Sequence, residues 1–248
     1  MNFLYQGCCF SDVEIAQALQ TLDAVQHEWT RRAPTPLPIF TLGAATYLDA
    51  RYGTEVYRHL ASQKNWVLRR HFQGLLDKLT STIQREFGPA ILEDALALPG
   101  FHIFGQPKGQ PLPPAICEVL EKTPASIHID TPYKNHLLHW MHYKHVDFLN
   151  PLSITVCLET PQHGAGLHLW HRLQGITQIH GHAVIDDRFD RSGLQPPQYH
   201  AYTTGWIYVS SGHQVHQIAP SKPFLPSDRR ITLQAHAVMC DHAWRIFF

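Results

Sequence analysis

The segment 125–134, ASIHIDTPYK, places His128 and Asp130 two positions apart, and apolar isoleucines alternate with them. This alternation predicts a short strand over residues 126–130. Side chains at positions i and i+2 of a strand point to the same face, so an imidazole and a carboxylate would be aimed at one point. That point is either a metal ion or the water at a polar sheet face.

Short extended runs separated by turns rich in glycine and proline fill the chain from about residue 99 onward. The runs are FHIF (101–104), SIHID (126–130), LSITVCLET (152–160), LHLW (167–170), WIYVS (206–210) and RRITLQAHAV (229–238). Many short strands with frequent turn signals predict a β-sandwich or a β-barrel.

The first 95 residues have a helical pattern instead. Ser11 followed by Glu14 predicts a capping box at the start of a helix. A second, longer apolar stripe at helical spacing ends at the glycine–proline pair 88–89, a strong stop signal. We therefore expect an α+β chain in which a helical region, 1–95, packs on a mainly β core, 96–248, as one compact domain.

Charge and cysteine content exclude several classes of function. Lys+Arg and Asp+Glu each number 20 among 248 residues, so the chain lacks the basic excess that binds nucleic acid or an anionic membrane. The five cysteines form no CxxC pair, which argues against a disulfide framework and a cysteine zinc cluster. The sequence has no signal-peptide pattern and no run of 18 apolar residues. We expect a cytoplasmic protein with neither a nucleic-acid nor a membrane partner.

A metal ion held by one histidine and one carboxylate needs at least one more protein ligand. His213 and His216 both follow the extended run WIYVS and are the candidates. Further on, RRITLQAH places Arg230 and Thr232 two positions apart, and hence on one face of a strand.

The order His-x-Asp, distant His and Arg-x-Thr resembles the iron(II)- and 2-oxoglutarate-dependent dioxygenase superfamily, across roughly residues 99–240. In that family a glycine opens the strand that ends at the distal histidine, and a proline lies four residues beyond it. His216 fits this register better than His213, which is the alternative. The resemblance implies Fe(II) held by His128, Asp130 and His216. It also implies a double-stranded β-helix, a jelly-roll or cupin-like barrel, flanked by N-terminal helices.

The same resemblance implies 2-oxoglutarate as cosubstrate and O2 as oxidant, with release of succinate and CO2 as a C–H bond is hydroxylated or otherwise oxidised. Two imidazoles and one carboxylate on one face of an octahedral ion leave the opposite positions open. A guanidinium grips a carboxylate bidentately and keeps its charge, so Arg230 is the expected partner of the distal carboxylate. Thr232 would add a hydroxyl donor. Arg229 and Arg172 are the alternative arginines.

The expected substrate is a small molecule, an amino acid or a peptide, with Tyr133, Trp140 and Tyr143 as contacts. A nucleic-acid demethylase of this superfamily typically has a second arginine six residues after the first, where this chain has His236. A histone-demethylase-like relative usually holds the cosubstrate through lysine. A non-catalytic, cupin-like barrel that binds a metal or a sugar is the alternative from another class of function. The histidines spaced by three within 136–145 predict a polar loop or lid rather than a second metal site.

Overall fold

The computed structural model describes residues 3–34, 36–122, 125–164, 166–171, 174–188 and 190–248. Arg172, one of the alternative arginines, therefore lies outside the described residues. The α-helices are α1 (Asp12–Ala24), α2 (Thr46–Asp49), α3 (Thr54–Phe87), α4 (Pro114–Leu120) and α5 (Leu137–Trp140). Within the described ranges, no helix combines the length and the apolar composition that crossing a membrane requires.

The strands are mostly short, apart from two long ones near the middle and the end of the chain. They are β1 (Tyr5–Cys8), β2 (Thr30–Arg31), β3 (Ile39–Leu42), β4 (Ala90–Leu92), β5 (Gly100–Phe104), β6 (Val146–Glu159), β7 (Gly166–Trp170), β8 (Ile176–Ile179), β9 (His182–Ile185), β10 (Gln198–Ala201), β11 (Trp206–Ser211), β12 (Val215–Ile218), β13 (Arg230–Cys240) and β14 (Ala243–Phe247).

The start of α1 and the end of α3 lie where the sequence predicts. The Ser11 hydroxyl accepts the backbone N–H of Glu14 over 3.4 Å, and the Glu14 carboxylate accepts the backbone N–H of Ser11 over 2.8 Å, which confirms the capping box of α1. Helix α3 ends at Gly88, whose φ of +95° suits glycine.

The largest sheet has the strand order β1-β11-β6-β13-β5-β3-β2, and β14 pairs with both β13 and β4. All these neighbours are antiparallel except β14 and β4. Four of its strands, β1 to β4, come from the region that the sequence predicts to be helical. These strands are two to four residues long, too short for the alternation of side chains to be recognised in the sequence.

Alternation along the central strands gives this sheet one apolar and one polar face. On β6, Ile154 and Val156 belong to one apolar cluster with residues of α1 and α3, such as Phe72. Ser153 and Thr155 point the other way and line a cavity. The helices therefore cover one face of the sheet and leave the polar face for a site.

A second sheet, with the order β10-β7-β12, lies over the polar face. Cys157 and Tyr208 of the large sheet share an apolar cluster with Leu167, Leu169 and Tyr202 of the small sheet and its flanks. The two sheets thus face each other, as the prediction of a sandwich or barrel required, and the chain is α+β with a mainly β core. Strands β8 and β9 form a separate hairpin.

Candidate metal centre

His128, Asp130 and His216 form a compact group at the open edge between the two sheets. Their ligand atoms all lie within 4.8 Å of one another, and among the described residues this is the one such group of three or more His, Cys, Asp or Glu side chains. Asp130 Oδ1 lies 3.7 Å from His128 Nε2, and Asp130 Oδ2 lies 3.5 Å from His216 Nε2. Ligand atoms that each bind one ion at about 2 Å are separated by roughly 3–4 Å. The spacing therefore suits a single cation held from one side.

Backbone pairing brings these three residues together. His128 and His216 exchange two N–H···O=C hydrogen bonds of 3.0 and 2.9 Å, so their side chains lie on the same face. The Asp130 N–H donates to Gly212 O over 3.0 Å. At residue 212 a Cβ would lie 2.8 Å from the backbone carbonyl oxygen of Asp130 and 2.9 Å from Pro151 Cγ, so a glycine is needed for this approach.

The predicted strand over residues 126–130 is wrong in its extent. The segment makes only the isolated bridge between His128 and His216, because it meets a short edge strand and a 3₁₀-helix begins at Pro132. The consequence drawn from the alternation nevertheless holds, since the side chains of His128 and Asp130 approach each other.

Both imidazoles are held in the tautomer that a metal ligand needs. His128 Nδ1 lies 2.7 Å from Ser126 O, and His216 Nδ1 lies 2.8 Å from Gln214 O. A carbonyl oxygen only accepts, so each Nδ1 carries a hydrogen, and the Nε2 lone pair is the one left for a metal ion. Burial also lowers the pKa of His128, which favours the neutral ring.

Asp130 is ionised in this setting. Burial alone would raise its pKa, but the neighbouring histidines and a hydrogen bond from Ser153 Oγ to Asp130 Oδ2, 2.5 Å long, outweigh burial and hold the pKa well below its usual range. Two imidazoles and one carboxylate form a donor set suited to a divalent transition metal such as Fe(II). The residues therefore fit the implied ion.

A cavity of about 570 Å³ opens beside this group, a size typical of small-molecule sites. Its wall includes all three residues of the group, and further polar side chains come from several elements. The latter include Tyr47, His102, Lys134, Asp187, Gln234 and His236.

Arg230 and Thr232 lie on the same face of β13 as Gln234 and His236, which line the cavity. Arg230 lines a small side cavity that shares Phe104 and Ile218 with the large one. Arg230 is 4% exposed and pairs with no carboxylate among the described residues; the polar side chain that interacts with its guanidinium is the Tyr202 hydroxyl. The Thr232 hydroxyl has no hydrogen-bond partner in the same described ranges.

This guanidinium is flanked by aromatic rings rather than by a carboxylate. Its Cζ lies 5.7 Å from the centre of the Phe104 ring and 5.6 Å from that of Tyr202. Burial lowers the pKa of Arg230, but a guanidinium remains charged at neutral pH. A buried cation without a counter-ion is costly, and the carboxylate of a bound ligand would satisfy it.

The alternative residues lie elsewhere. Arg229 is committed to two ion pairs, with Asp23 at 2.6 Å and with Glu159 at 2.7 Å. His213, the alternative metal ligand, is not in the group around Asp130.

The three aromatic residues predicted to contact substrate do not line the cavity. Tyr133 is 1% exposed and stacks on Phe148 at 5.2 Å, and the Trp140 indole donates to Tyr133 O. Tyr143 donates its hydroxyl hydrogen to Glu93 over 2.5 Å. The 3₁₀-helix after Asp130 and the adjoining α5 turn these rings into a second apolar cluster, away from the cavity wall.

The neighbouring histidine-rich stretch is an exposed turn only in its second half, where His142 and His145 are exposed. His136 is buried, with Nε2 at 3.2 Å from Thr46 Oγ1, and His139 Nε2 lies 3.5 Å from Glu93 Oε1.

Tyr47 and His102 also lie on the cavity wall and were not among the predicted site residues. The Tyr47 hydroxyl lies 2.7 Å from His102 Nε2, and the two rings are stacked. Burial, aided by the Arg230 charge, lowers the pKa of His102 to about 3. His102 stands in the predicted run FHIF, where a polar residue between apolar neighbours was the available signal. Tyr47 gave none, because it comes from the predicted helical region.

No protein-family model and no curated protein sequence matches the chain. Among solved structures, the epimerase SnoN in complex with Fe3+, alpha ketoglutarate and nogalamycin RO is 14% identical, with a TM-score of 0.46 over 97% of this chain and 80% of its own. An N-substituted L-amino acid dioxygenase from Burkholderia ambifaria in complex with alpha-KG is 12% identical, with a TM-score of 0.49 over 95% and 92%. EvdO2 from Micromonospora carbonacea, complexed with 2-oxoglutarate, is 14% identical, with a TM-score of 0.44 over 93% and 83%.

These three proteins are described with the cosubstrate that the sequence resemblance implies, and one of them with iron. At such identities and TM-scores the likeness does not by itself assign a function. The donor group and the buried arginine carry the functional argument.

Proposed function

We propose that this chain is an Fe(II)- and 2-oxoglutarate-dependent dioxygenase that oxidises a C–H bond of a small molecule, amino acid or peptide, by hydroxylation or a related reaction, and releases succinate and CO2. The observation that carries the proposal is the presence of a His-Asp-His donor group together with the buried guanidinium of Arg230. Arg230 lies on the same face of β13 as the cavity residues Gln234 and His236, and it has no carboxylate partner among the described residues. A metal-binding barrel without a diacid ligand would have no use for that guanidinium.

The protein's part in this reaction is to hold and orient. His128, Asp130 and His216 would hold Fe(II) from one side and leave the cavity side open for ligands. Bound Fe(II), with 2-oxoglutarate and O2, supplies the oxidising power. Arg230 would grip the distal carboxylate of 2-oxoglutarate through charge-assisted hydrogen bonds, and Thr232 would add a hydroxyl donor.

The surroundings favour a small substrate. The cavity of about 570 Å³ encloses polar but mostly uncharged groups. The zero net charge of the chain offers no field for a nucleic acid.

We also propose that the two facing sheets are a double-stranded β-helix of the jelly-roll class. The position of His216 on β12 of the small sheet, with polar residues of β6 and β13 opposite, supports this assignment. In this proposal residues 1–95 serve as a supporting layer and residues 96–248 as the catalytic core. The packing of α1 and α3 on the apolar face of the large sheet is consistent with that division.

The test is anaerobic addition of Fe(II) and 2-oxoglutarate to the purified chain. We expect a visible metal-to-ligand charge-transfer band, and succinate once oxygen is admitted. Asp130→Ala should abolish both and weaken Fe(II) binding measured by calorimetry. Asp12→Ala, a change at an exposed carboxylate in the first turn of α1, is the control and should alter neither.

Metal binding without a charge-transfer band would contradict the proposed function. A folded wild-type chain that binds a metal but gives no band with 2-oxoglutarate would be a metal- or sugar-binding barrel instead. Circular dichroism establishes that each variant is folded, so that loss of the band reports on the site.

A further inference from the structure

The cavity wall carries two oppositely charged residues that belong to neither the proposed metal site nor the proposed cosubstrate site. Among its described lining residues, the Lys, Arg, Asp and Glu side chains are Asp130, Lys134 and Asp187. Asp130 belongs to the metal group. Lys134 and Asp187 are therefore the charged wall residues available to contact a substrate.

These two residues face each other close to the metal group. Lys134 Nζ lies 3.1 Å from Asp187 Oδ2, and Thr131 donates its hydroxyl hydrogen to the same oxygen over 3.1 Å. Lys134 stands in the 3₁₀-helix Pro132–His136, which begins two residues after Asp130. The site of the charge pair is thus fixed by the same segment that presents the metal ligand.

Both charged groups keep unused hydrogen-bonding capacity. An ammonium has three N–H donors, and Asp187 is the one carboxylate that pairs with Lys134 among the described residues. Both contacts to Asp187 involve its Oδ2 atom. These contacts leave Oδ1 available to accept a hydrogen bond from a ligand. The Lys134 side chain is only 14% exposed, which shields its charge from water, whereas that of Asp187 is 47% exposed.

We propose that Lys134 and Asp187 form the subsite for the carboxylate and the ammonium of a free α-amino acid, the substrate of the proposed dioxygenase. A zwitterion carries both charges on one carbon, so it can contact the ammonium of Lys134 and the carboxylate of Asp187 together. An internal residue of a peptide carries neither charge. This assignment rests on the proposed function and narrows its substrate class.

The rest of the wall limits the side chain of that amino acid. Apart from the three residues named above, the described lining contains no Lys, Arg, Asp or Glu. A charged substrate side chain would lose its hydration there without gaining a counter-ion. Gln234 and Tyr208 offer amide and hydroxyl groups instead. We therefore expect an amino acid with an uncharged side chain.

The experiment separates this subsite from the metal site. The chain is loaded with Fe(II) and 2-oxoglutarate without oxygen, and the charge-transfer band first establishes the proposed function. L-Amino acids with uncharged side chains are then titrated, each beside its methyl ester and its N-acetyl derivative. The ester lacks the carboxylate, and the acetyl derivative lacks the ammonium. Binding is read by calorimetry and by the shift of the band.

We expect at least one free amino acid to bind, and its ester and N-acetyl derivative to bind roughly ten-fold more weakly or worse, the loss of one charge-assisted contact. Lys134→Met should bind the amino acid and its ester with equal affinity, because the partner of the substrate carboxylate is gone. Asp187→Asn should bind the amino acid and its N-acetyl derivative with equal affinity, because the partner of the substrate ammonium is gone. Lys108→Met, at an exposed lysine, should keep the wild-type preferences.

Three results would overturn the subsite while leaving the dioxygenase proposal intact. The first is a normal charge-transfer band with no amino acid bound at about 10 mM, a concentration well above usual Michaelis constants. The second is a methyl ester that binds as tightly as the free amino acid. The third is that the Lys134 and Asp187 variants still prefer the free amino acid over its derivatives as strongly as the wild type does. Absence of the band would instead overturn the dioxygenase proposal and, with it, this one. Asp187 is half exposed, so Asp187→Asn tests the subsite even if Lys134→Met fails to fold.

Discussion

Ser153 Oγ donates a 2.5 Å hydrogen bond to Asp130 Oδ2, and this bond ties the only carboxylate of the donor group to the centre of the large sheet. Ser153 lies on β6, in register with His236 on one side and Ser210 on the other. The loop that carries Asp130 has few backbone contacts of its own. The sheet therefore sets the direction of the carboxylate.

Ser153→Ala should weaken metal binding without unfolding the chain. The loss of a hydrogen bond that orients a metal ligand typically reduces affinity by about 10–100-fold. Calorimetric titration with Fe(II) under anaerobic conditions measures the change. Ser210→Ala is the matched control, because Ser210 lines the same cavity beside Ser153. If Ser153→Ala bound Fe(II) as tightly as Ser210→Ala does, Ser153 would not be the residue that positions Asp130.

Arg230→Met should separate cosubstrate binding from stability. We expect 2-oxoglutarate to bind about 2–4 kcal/mol more weakly, the range for truncating one partner of a buried charge pair. Without 2-oxoglutarate the variant should be as stable as the wild type or more so, because a buried charge that lacks a carboxylate partner in the described ranges has been removed. Titration of the charge-transfer band and urea denaturation measure the two effects. Unchanged 2-oxoglutarate affinity would contradict the assigned role.

Arg229→Met should have the reverse effect on stability. Its guanidinium is 5% exposed and joins Asp23 of α1 to Glu159 of β6, so its loss leaves two carboxylates unpaired. We expect the free energy of unfolding to fall by about 3 kcal/mol. Urea denaturation measures it, with Arg188→Met as control, because the side chain of Arg188 is 82% exposed. A loss no larger than that of the control would mean that the pairs contribute little.

Features that depend on residues close in the sequence were predictable. The capping box at Ser11 and the glycine stop at Gly88 act within one helical turn. The long strands β6 and β13 have enough residues for alternation to be recognised. The residue types at positions 128, 130 and 216 suggested the donor group through family resemblance, and the structure brings their ligand atoms together.

Features that depend on contacts between distant segments were not predictable. Tyr47 reaches His102 across 55 residues, and Lys134 reaches Asp187 across 53, so no spacing signals either pair. The direction of Tyr133 was also hidden, because the 3₁₀-helix after Asp130 turns the ring into the core.

The buried, neutral His136 should make stability depend on pH. Burial first, and then the nearby His139 and Arg58 charges, lower its pKa to about 4 from the ordinary 6.5. The unfolded chain therefore takes up a proton at a higher pH than the folded chain does. The contribution of His136 to the free energy of unfolding is fully present above about pH 6.5. It falls by about 1.4 kcal/mol per pH unit as the pH drops toward 4. Urea denaturation of His136→Gln should show a loss between pH 7 and pH 5 about 2 kcal/mol smaller than the wild type. His59→Gln, at an exposed histidine, should keep the wild-type loss, and an equal loss in His136→Gln would contradict this origin.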